Sequence, residues 1–404
     1  MSLVTRARPL IGASSLALAA FTFIPTAAQA DGPGSGSPYV VSVGDSYISG
    51  EAGRWAGSSN SSAARADRLG GTAYFDNAAN NAEQIDRCHR SKSAEIYLGG
   101  GVQGLNLACS GATTSTVNGT NFKPGLDFFD DGAGKLGQAK MLQQFAATHN
   151  VTMVTVSIGG NDFNFAEIVQ TCVSDFLGSP SWFKNYCNDD SNVTANFTSS
   201  NVAAVKTKIA NAYANIRTAM RNAGYADSSW TLLVQNYPSP LPNGSGFRYS
   251  QSGYTRQSTG GCGFWDADAN WANATALPTI NSTVTGAISQ AGITNAKTLN
   301  LAATFNGRRL CESSVGLYEE VGLADWSAPT AVDRTEWINQ IRTVTTGGSS
   351  PYYIQESLHP NYWGQLATRS CVRQAYNAGA TRSGTCTRTG TGLTSLGEPK
   401  MTLQ

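Results

Sequence analysis

The sequence predicts an α/β protein, a three-layer α/β/α sandwich built on a mainly parallel sheet of about five strands. Three observations carry that expectation. Segments with strand and helix periodicity alternate along the chain, the order that feeds a parallel sheet covered by helices on both faces. Val151–Ile158 is a nearly continuous apolar run of β-branched residues, which is how a strand buried on both faces reads. The first strand, Tyr39–Val43, stops at Gly44-Asp45-Ser46. A small hydroxyl therefore sits where a strand ends and a turn begins, the place where α/β folds form sites.

Residues 1–30 read as a secretory signal peptide, because Arg6 and Arg8 precede an apolar run from Leu10 to Ile24 and the segment closes with Ala28-Gln29-Ala30. The run is short for a membrane span, and no later stretch approaches ~18 apolar residues. The expected product is soluble and exported. Asp31–Ser37 is a flexible Gly/Ser/Pro-rich leader, and residues 38–386 suit one domain with long decorated loops.

Within that domain, Arg54–Leu98 has neither periodicity and reads as an irregular excursion, followed by a short strand at Leu105–Ala108. Leu136, Ala139, Leu142 (or Met141) and Phe145 place a helix over Lys135–His149. Phe163–Ser200 reads as a loop-rich insertion. The clearest helix follows, capped by Ser199, Ser200 or Asn201, striped by Val202, Val205, Ile209, Ala212, Ile216 and Met220, and closed at Gly224. Trp230–Asn236 is a strand and Ser239–Ala274 a surface loop. The remaining elements are a helix at Ala276–Ala291, a strand at Thr298–Ala302, a helix at Val332–Thr345, an extended piece at Tyr352–Glu356 and a helix from Tyr362 to Ala378. Residues 387–404 are small and polar, the composition of a poorly ordered tail.

Without Arg6 and Arg8, the 28 basic residues become 26 against 27 acidic ones. No basic field draws nucleic acid or an anionic membrane surface. The eight cysteines form no Cys-x-x-Cys pair, and an even number in an exported chain favours disulfides. Sequence alone permits about 105 pairings. The sequential set, Cys88–Cys109, Cys172–Cys187, Cys262–Cys311 and Cys371–Cys386, is expected because each bond then clips one local loop. Asn60, Asn192, Asn196 and Asn281 begin Asn-x-Ser/Thr sequons, which read as loop composition. With three scattered histidines and no paired-ligand spacing, no metal site is expected. No phosphate-cradling glycine loop follows the first strand. The expectation is a monomer without cofactors.

Serine is a poor nucleophile at neutral pH and needs a base in hydrogen-bond reach, with donors where an oxyanion will develop. His149 follows a helix and suits a C-terminal donor. His89 adjoins Cys88 and suits a structural or rim position. His359 lies in Glu356-Ser357-Leu358-His359-Pro360-Asn361, a loop before the last helix that is able to present an imidazole to a distant strand end. Asp45 and Asp162 read as turn-fixing residues.

In order along the chain, Gly44-Asp45-Ser46, the Ser110-Gly111-Ala112 turn, Gly159-Gly160-Asn161-Asp162 and Leu358-His359-Pro360 resemble the four sequence blocks of the SGNH (GDSL) hydrolase family. The blocks span nearly the whole chain after residue 30. The disulfide-clipped layout looks most like the secreted actinobacterial esterases, lipases and phospholipases of that family. The resemblance implies a flavodoxin-like strand order and ester hydrolysis through an acyl-enzyme. It makes Ser46 the nucleophile and His359 the base. It also places the N–H of Ser46, the N–H of Gly111 and the Asn161 amide in the oxyanion hole. One departure is visible, since Glu356 stands where the family usually has Asp three residues before the histidine. Either Glu356 or a backbone carbonyl of Glu356 or Ser357 then orients His359.

Trp55, Phe183, Phe264, Trp265 and Trp271 either line an acyl groove, which points to lipid or small acyl esters, or anchor irregular loops. Tryptophan faces also stack on sugars, which makes an acetyl-polysaccharide esterase the alternative. A secreted binding protein that keeps the fold without the reaction is the reading from another class.

Overall fold

The computed structural model describes residues 32–343 and 354–404. The expected signal peptide, Asp31 of the leader, and parts of the elements expected at Val332–Thr345 and Tyr352–Glu356 lie outside the described residues.

In chain order, the elements that frame the molecule are β1 (Pro38–Gly44), α1 (Ser46–Ser49), β2 (Gln103–Asn106), α2 (Gln138–Ala146), β3 (Asn150–Ser157), α3 (Phe165–Gly178) and α4 (Ser199–Asn222). They continue with β4 (Thr231–Gln235), α5 (Leu277–Ala291), β5 (Ala296–Asn300), α6 (Tyr362–Tyr376), β6 (Gly384–Leu393) and β7 (Pro399–Leu403). The strands form one sheet in the order β2-β1-β3-β4-β5-β6-β7. Every neighbouring pair is parallel except β6 with β7. The first five strands therefore follow the doubly wound order 2-1-3-4-5.

Side-chain alternation along the strands builds the three layers. Val41, Val43, Val154, Val156, Leu232 and Val234 point into a core shared with Leu142 of α2, Ile209 of α4 and Val284 of α5. Val40, Met153, Leu233 and Leu299 point into the opposite core, with Ile168 of α3 and Leu366 and Val372 of α6. Both faces of the sheet are covered, which is why valine, leucine and methionine alternate to both sides of its central strands. Among the described residues, no helix is long and apolar enough to cross a membrane.

All four sequential disulfides are present. Several expected elements need correction. The Phe163–Ser200 insertion contains α3, whose Phe165, Ile168, Cys172, Val173 and Phe176 recur at helical spacing. That signal is legible, but the loop-like composition after Gly178 hides it. The cap of α4 is Thr198, whose hydroxyl accepts from the Asn201 N–H, rather than any of the three residues after it. The Ser239–Ala274 loop includes helical turns at Thr255–Ser258 and Asp266–Trp271, and the second runs into α5. Among the described residues of the helix expected at Val332–Thr345, only Val332–Arg334 is helical, in a turn that begins at Ala331. Beyond it, the N–H groups of Trp337, Asn339 and Ile341 donate to Arg308, His359 and Gly261 carbonyls, so tertiary hydrogen bonds replace helical ones. Ile354 and Gln355 are helical rather than extended.

The tail after Cys386 is also ordered. Its threonines alternate along β6, a β-favouring pattern despite the small residues. Met401 and Leu403 of β7 are buried in the core that holds α6, and Cys386 is bonded to Cys371 on that helix. The folded unit thus extends past residue 386, and the sheet has seven strands rather than about five. Leu403→Ala should lower the unfolding free energy by about 2–4 kcal/mol in urea titration, whereas an ornamental tail would leave it unchanged.

Candidate active site

The site is assembled at the carboxyl ends of β1 and β3, where four separate turns are tied together. At the end of β1, Gly44 has φ +137°, and a Cβ there would lie 1.9 Å from the Ser157 carbonyl oxygen. Only glycine fits. Gln138 clamps the same residue, accepting from the Gly44 N–H at 2.7 Å and donating to its carbonyl at 2.9 Å. Asp45 then caps α1 by accepting from the Tyr47 N–H at 3.1 Å. Ser46 opens the helix and is 6% exposed.

Asp45 also links two turns. Its other oxygen accepts from the Tyr237 hydroxyl, and that hydroxyl accepts from the Gly160 N–H at 2.9 Å. Burial pushes the Asp45 carboxyl up to about 7, against the Tyr237 and Tyr47 hydrogen bonds. Beyond Gly160, Asn161 donates through Nδ2 to the Ala112 carbonyl at 2.8 Å. Asp162 accepts from the Thr114 N–H at 3.0 Å and from its hydroxyl at 2.8 Å. The turns that carry Gly111 and Asn161 are thereby locked to each other. Gly111 has φ +79°, a conformation side chains other than glycine rarely adopt. Among the described residues, neither the Ser46 N–H nor the Gly111 N–H makes a hydrogen bond.

His359 reaches the site from the opposite end of the chain. Its Nε2 is 2.6 Å from Ser46 Oγ, and its Nδ1 is 2.8 Å from the Ser357 carbonyl oxygen. A carbonyl only accepts, so Nδ1 carries the proton and Nε2 is left as an acceptor for the Ser46 hydroxyl. Leu358, at φ +59°, turns the loop, and its carbonyl accepts from the Tyr47 hydroxyl at 2.9 Å. Gln365 on α6 donates to the Tyr47 carbonyl at 2.9 Å. The helix that begins at Ser46 and the loop that carries His359 are thus docked on each other. Burial holds His359 below the ordinary imidazole value of 6.5, partly offset by Glu51 and the Ser357 carbonyl.

Of the two orienting groups left open by the sequence, the one in contact with His359 is the Ser357 carbonyl. Glu356 is turned away: it accepts from Trp55 Nε1 at 2.7 Å and from the Tyr74 hydroxyl. Burial, followed by the neighbouring Glu51, raises its carboxyl to about 7. His89 is fully buried, 2.7 Å from Glu51 Oε1 and stacked on Tyr74. His149 caps the end of α2, with Nδ1 2.9 Å from the Phe145 carbonyl. Tyr47, Tyr237, Gln138, Glu51 and Gln355 escaped the sequence reading, because a buried tyrosine or glutamine carries no local signal of what it bonds.

Beside Ser46 and Asn161 a cleft is lined by Phe165, Tyr237, Pro240, Leu277 and Ile280. Phe165, Pro240, Leu277 and Ile280 continue into an almost wholly apolar cavity with Val169, Phe197 and Trp271. Of the loop aromatics singled out by sequence, Phe264 and Trp271 line that cavity. Trp55 and Trp265 are core residues, and Phe183 is 74% exposed. On another side, a cavity of about 810 Å³ is lined by Arg87, Lys123, Lys135 and Gln355. It approaches the turn that carries Gly111, because the Lys123 chain runs past that residue.

No protein-family model matches the chain, and no curated protein sequence does. Among solved structures, it is similar to the extracellular lipase from Streptomyces rimosus at 20% identity and TM-score 0.42, covering 84% of this chain and 100% of that one. It is also similar to phospholipase A1 from Streptomyces albidoflavus at 19% identity and TM-score 0.44, covering 84% and 99%. A carbohydrate acetylesterase from Sinorhizobium meliloti matches at 13% identity and TM-score 0.26, covering 65% and 83%.

Because Glu356 does not touch His359, Glu356→Gln should keep ester turnover within a few-fold of wild type once folded protein is counted. A loss of several hundredfold would make that carboxylate part of the chemistry.

Proposed function

We propose that this protein is a secreted serine ester hydrolase of the SGNH (GDSL) type that works through an acyl-enzyme on Ser46. The observation that carries the reading is the 2.6 Å contact of His359 Nε2 with Ser46 Oγ, with Nδ1 already committed to the Ser357 carbonyl. A base in the right tautomer, held on both sides, is what a serine hydroxyl needs to become a nucleophile.

In the proposed mechanism, Ser46 Oγ attacks the ester carbonyl carbon as its proton passes to His359 Nε2. The negative charge collects on the former carbonyl oxygen, which the N–H groups of Ser46 and Gly111 and the Asn161 amide receive. Asn161 Nδ2 has one hydrogen on the Ala112 carbonyl and a second left to donate. The tetrahedral intermediate collapses, the ester C–O bond breaks, and the alcohol leaves with the proton from His359. Water, deprotonated by the same imidazole, then attacks the acyl-enzyme and releases the acid. His359 needs a stabiliser for its transient positive charge, and the Ser357 carbonyl supplies part of it.

For the substrate, the apolar cleft that continues from Ser46 past Phe165, Leu277 and Ile280 supports esters with an acyl chain, such as lipid or small acyl esters. The acetyl-polysaccharide alternative gains nothing from Trp55 and Trp265, whose faces are buried and closed to a sugar. The cavity near Gly111, lined by Phe122, Leu136 and Met141 as well as Arg87 and Lys123, leaves room for the alcohol portion.

Three measurements test the reading. Ser46→Ala should abolish p-nitrophenyl ester hydrolysis and labelling by a fluorophosphonate, and appreciable turnover by the purified variant would refute it. Asn161→Ala should lower kcat by roughly 10²-fold while labelling persists, slowed. Turnover should be full when His359 is neutral, so the acid limb of kcat/KM should have its midpoint below pH 6.5, with the rate falling as pH drops further.

A further inference from the structure

Glu51 lies one turn beyond the nucleophile, and its N–H donates to the Ser46 carbonyl at 3.2 Å. Its side chain is fully buried. One carboxylate oxygen is 2.7 Å from His89 Nδ1, and the other accepts from Gln355 Nε2 at 3.1 Å. The same Gln355 amide is 3.0 Å from both Ser110 Oγ and the Arg87 carbonyl. A single side chain therefore joins Glu51 to the histidine loop and to the turn before Gly111. A carboxylate buried this way is costly to place, and such groups gather where a charge is needed.

We propose that Glu51 is a positioning residue acting through His359: its buried carboxylate, anchored by His89 and Gln355, stabilises the imidazolium formed when His359 takes the Ser46 proton. This inference rests on the Ser46–His359 reading and deepens it. It gives the active site a negative charge that Glu356, bonded to Trp55 and Tyr74, does not bring to the imidazole.

The surroundings agree. Burial alone would raise the Glu51 carboxyl, but His89, by charge and hydrogen bond, and then His359 bring it below its usual value. For His359, burial works against the charged form and Glu51 against burial, with His89 on the side of burial. Glu83, Tyr74, Glu356 and Lys123 also face Glu51. Tyr47 packs its ring against His359 at 5.2 Å. Of the His89–Glu51 pair, the carboxylate is the member that favours the charged form of His359.

The test is kcat/KM against pH for a p-nitrophenyl ester in Glu51→Gln, with rates normalised to the sites labelled by a fluorophosphonate. Removing the charge should lower the plateau roughly three- to tenfold and move the acid limb to lower pH by roughly half a unit. An acid limb that stays in place, or moves up, would overturn the proposal, since a merely structural role changes the number of active sites and not the imidazole titration. If Glu51→Gln yields no labelled protein, Gln355→Lys sets an ammonium beside the same carboxylate from a half-buried position. The limb should again move down, and an unmoved limb would overturn the proposal there too. Wild-type protein labelled on Ser46 with an unmoved limb in the variants sinks the role of Glu51 alone. Wild-type protein that is not labelled sinks the hydrolase reading beneath it.

Discussion

The hydrogen bond between Ser46 and His359 joins residues 313 positions apart, and most of the loop architecture serves to hold its two ends. A contact of this kind cannot be made by local structure, because each partner sits on a turn with few backbone bonds of its own. Its geometry is set instead by what the turns are tied to. Gln138 grips Gly44, Asp45 caps α1, and the Tyr47 hydroxyl holds the Leu358 carbonyl. On the other side, Asn339 exchanges backbone hydrogen bonds with the histidine loop, donating to the His359 carbonyl and accepting from the Leu358 N–H. The parallel sheet makes all this feasible by delivering several chain segments to one edge.

The electrostatics of the site follow from the same crowding. Asp45 and Glu356, both raised to about 7, are deeply buried carboxyls that receive hydrogen bonds from tyrosine hydroxyls. Each fixes a segment: Asp45 ties the turn at Ser46 to Gly160 through Tyr237, and Glu356 pins its own loop to the excursion that carries Trp55 and Tyr74. Glu51 differs because His89 beside it favours its ionised form. Similar residue types thus have different roles, decided by whether a cation or a phenol is the neighbour.

Much of this was legible in the sequence, and the failures have a common cause. The central strands, α4, α5 and α6 declare themselves through periodicity, and Ser46, Gly111, Asn161 and His359 through short blocks at turns. The sequential disulfides followed from locality. What sequence could not supply was the destination of hydrogen bonds made by side chains and irregular backbone. The Trp337–Ile341 stretch has helical spacing but bonds to other loops, and β6 and β7 have a tail-like composition yet pack on α6. The orienter of His359 was undecidable for the same reason, since Glu356 and the Ser357 carbonyl are adjacent in sequence and only the turn at Leu358 selects between them.

That selection has a chemical consequence. A carbonyl fixes the tautomer of His359 as well as a carboxylate does, but it carries only a partial charge, so it compensates the imidazolium less. A buried histidine whose partner is a carbonyl is held in its neutral form, as burial holds His359. In the proposed reaction, further stabilisation of the imidazolium comes from farther away and through space, where its strength depends on how well water is excluded. The disulfide Cys88–Cys109 lies at that point, since it fastens the segment bearing Arg87 and His89 to the turn bearing Ser110 and Gly111. It thereby ties the segment whose His89 contacts Glu51 to the turn that carries Gly111, so that one covalent link holds both sides of the Glu51 cluster.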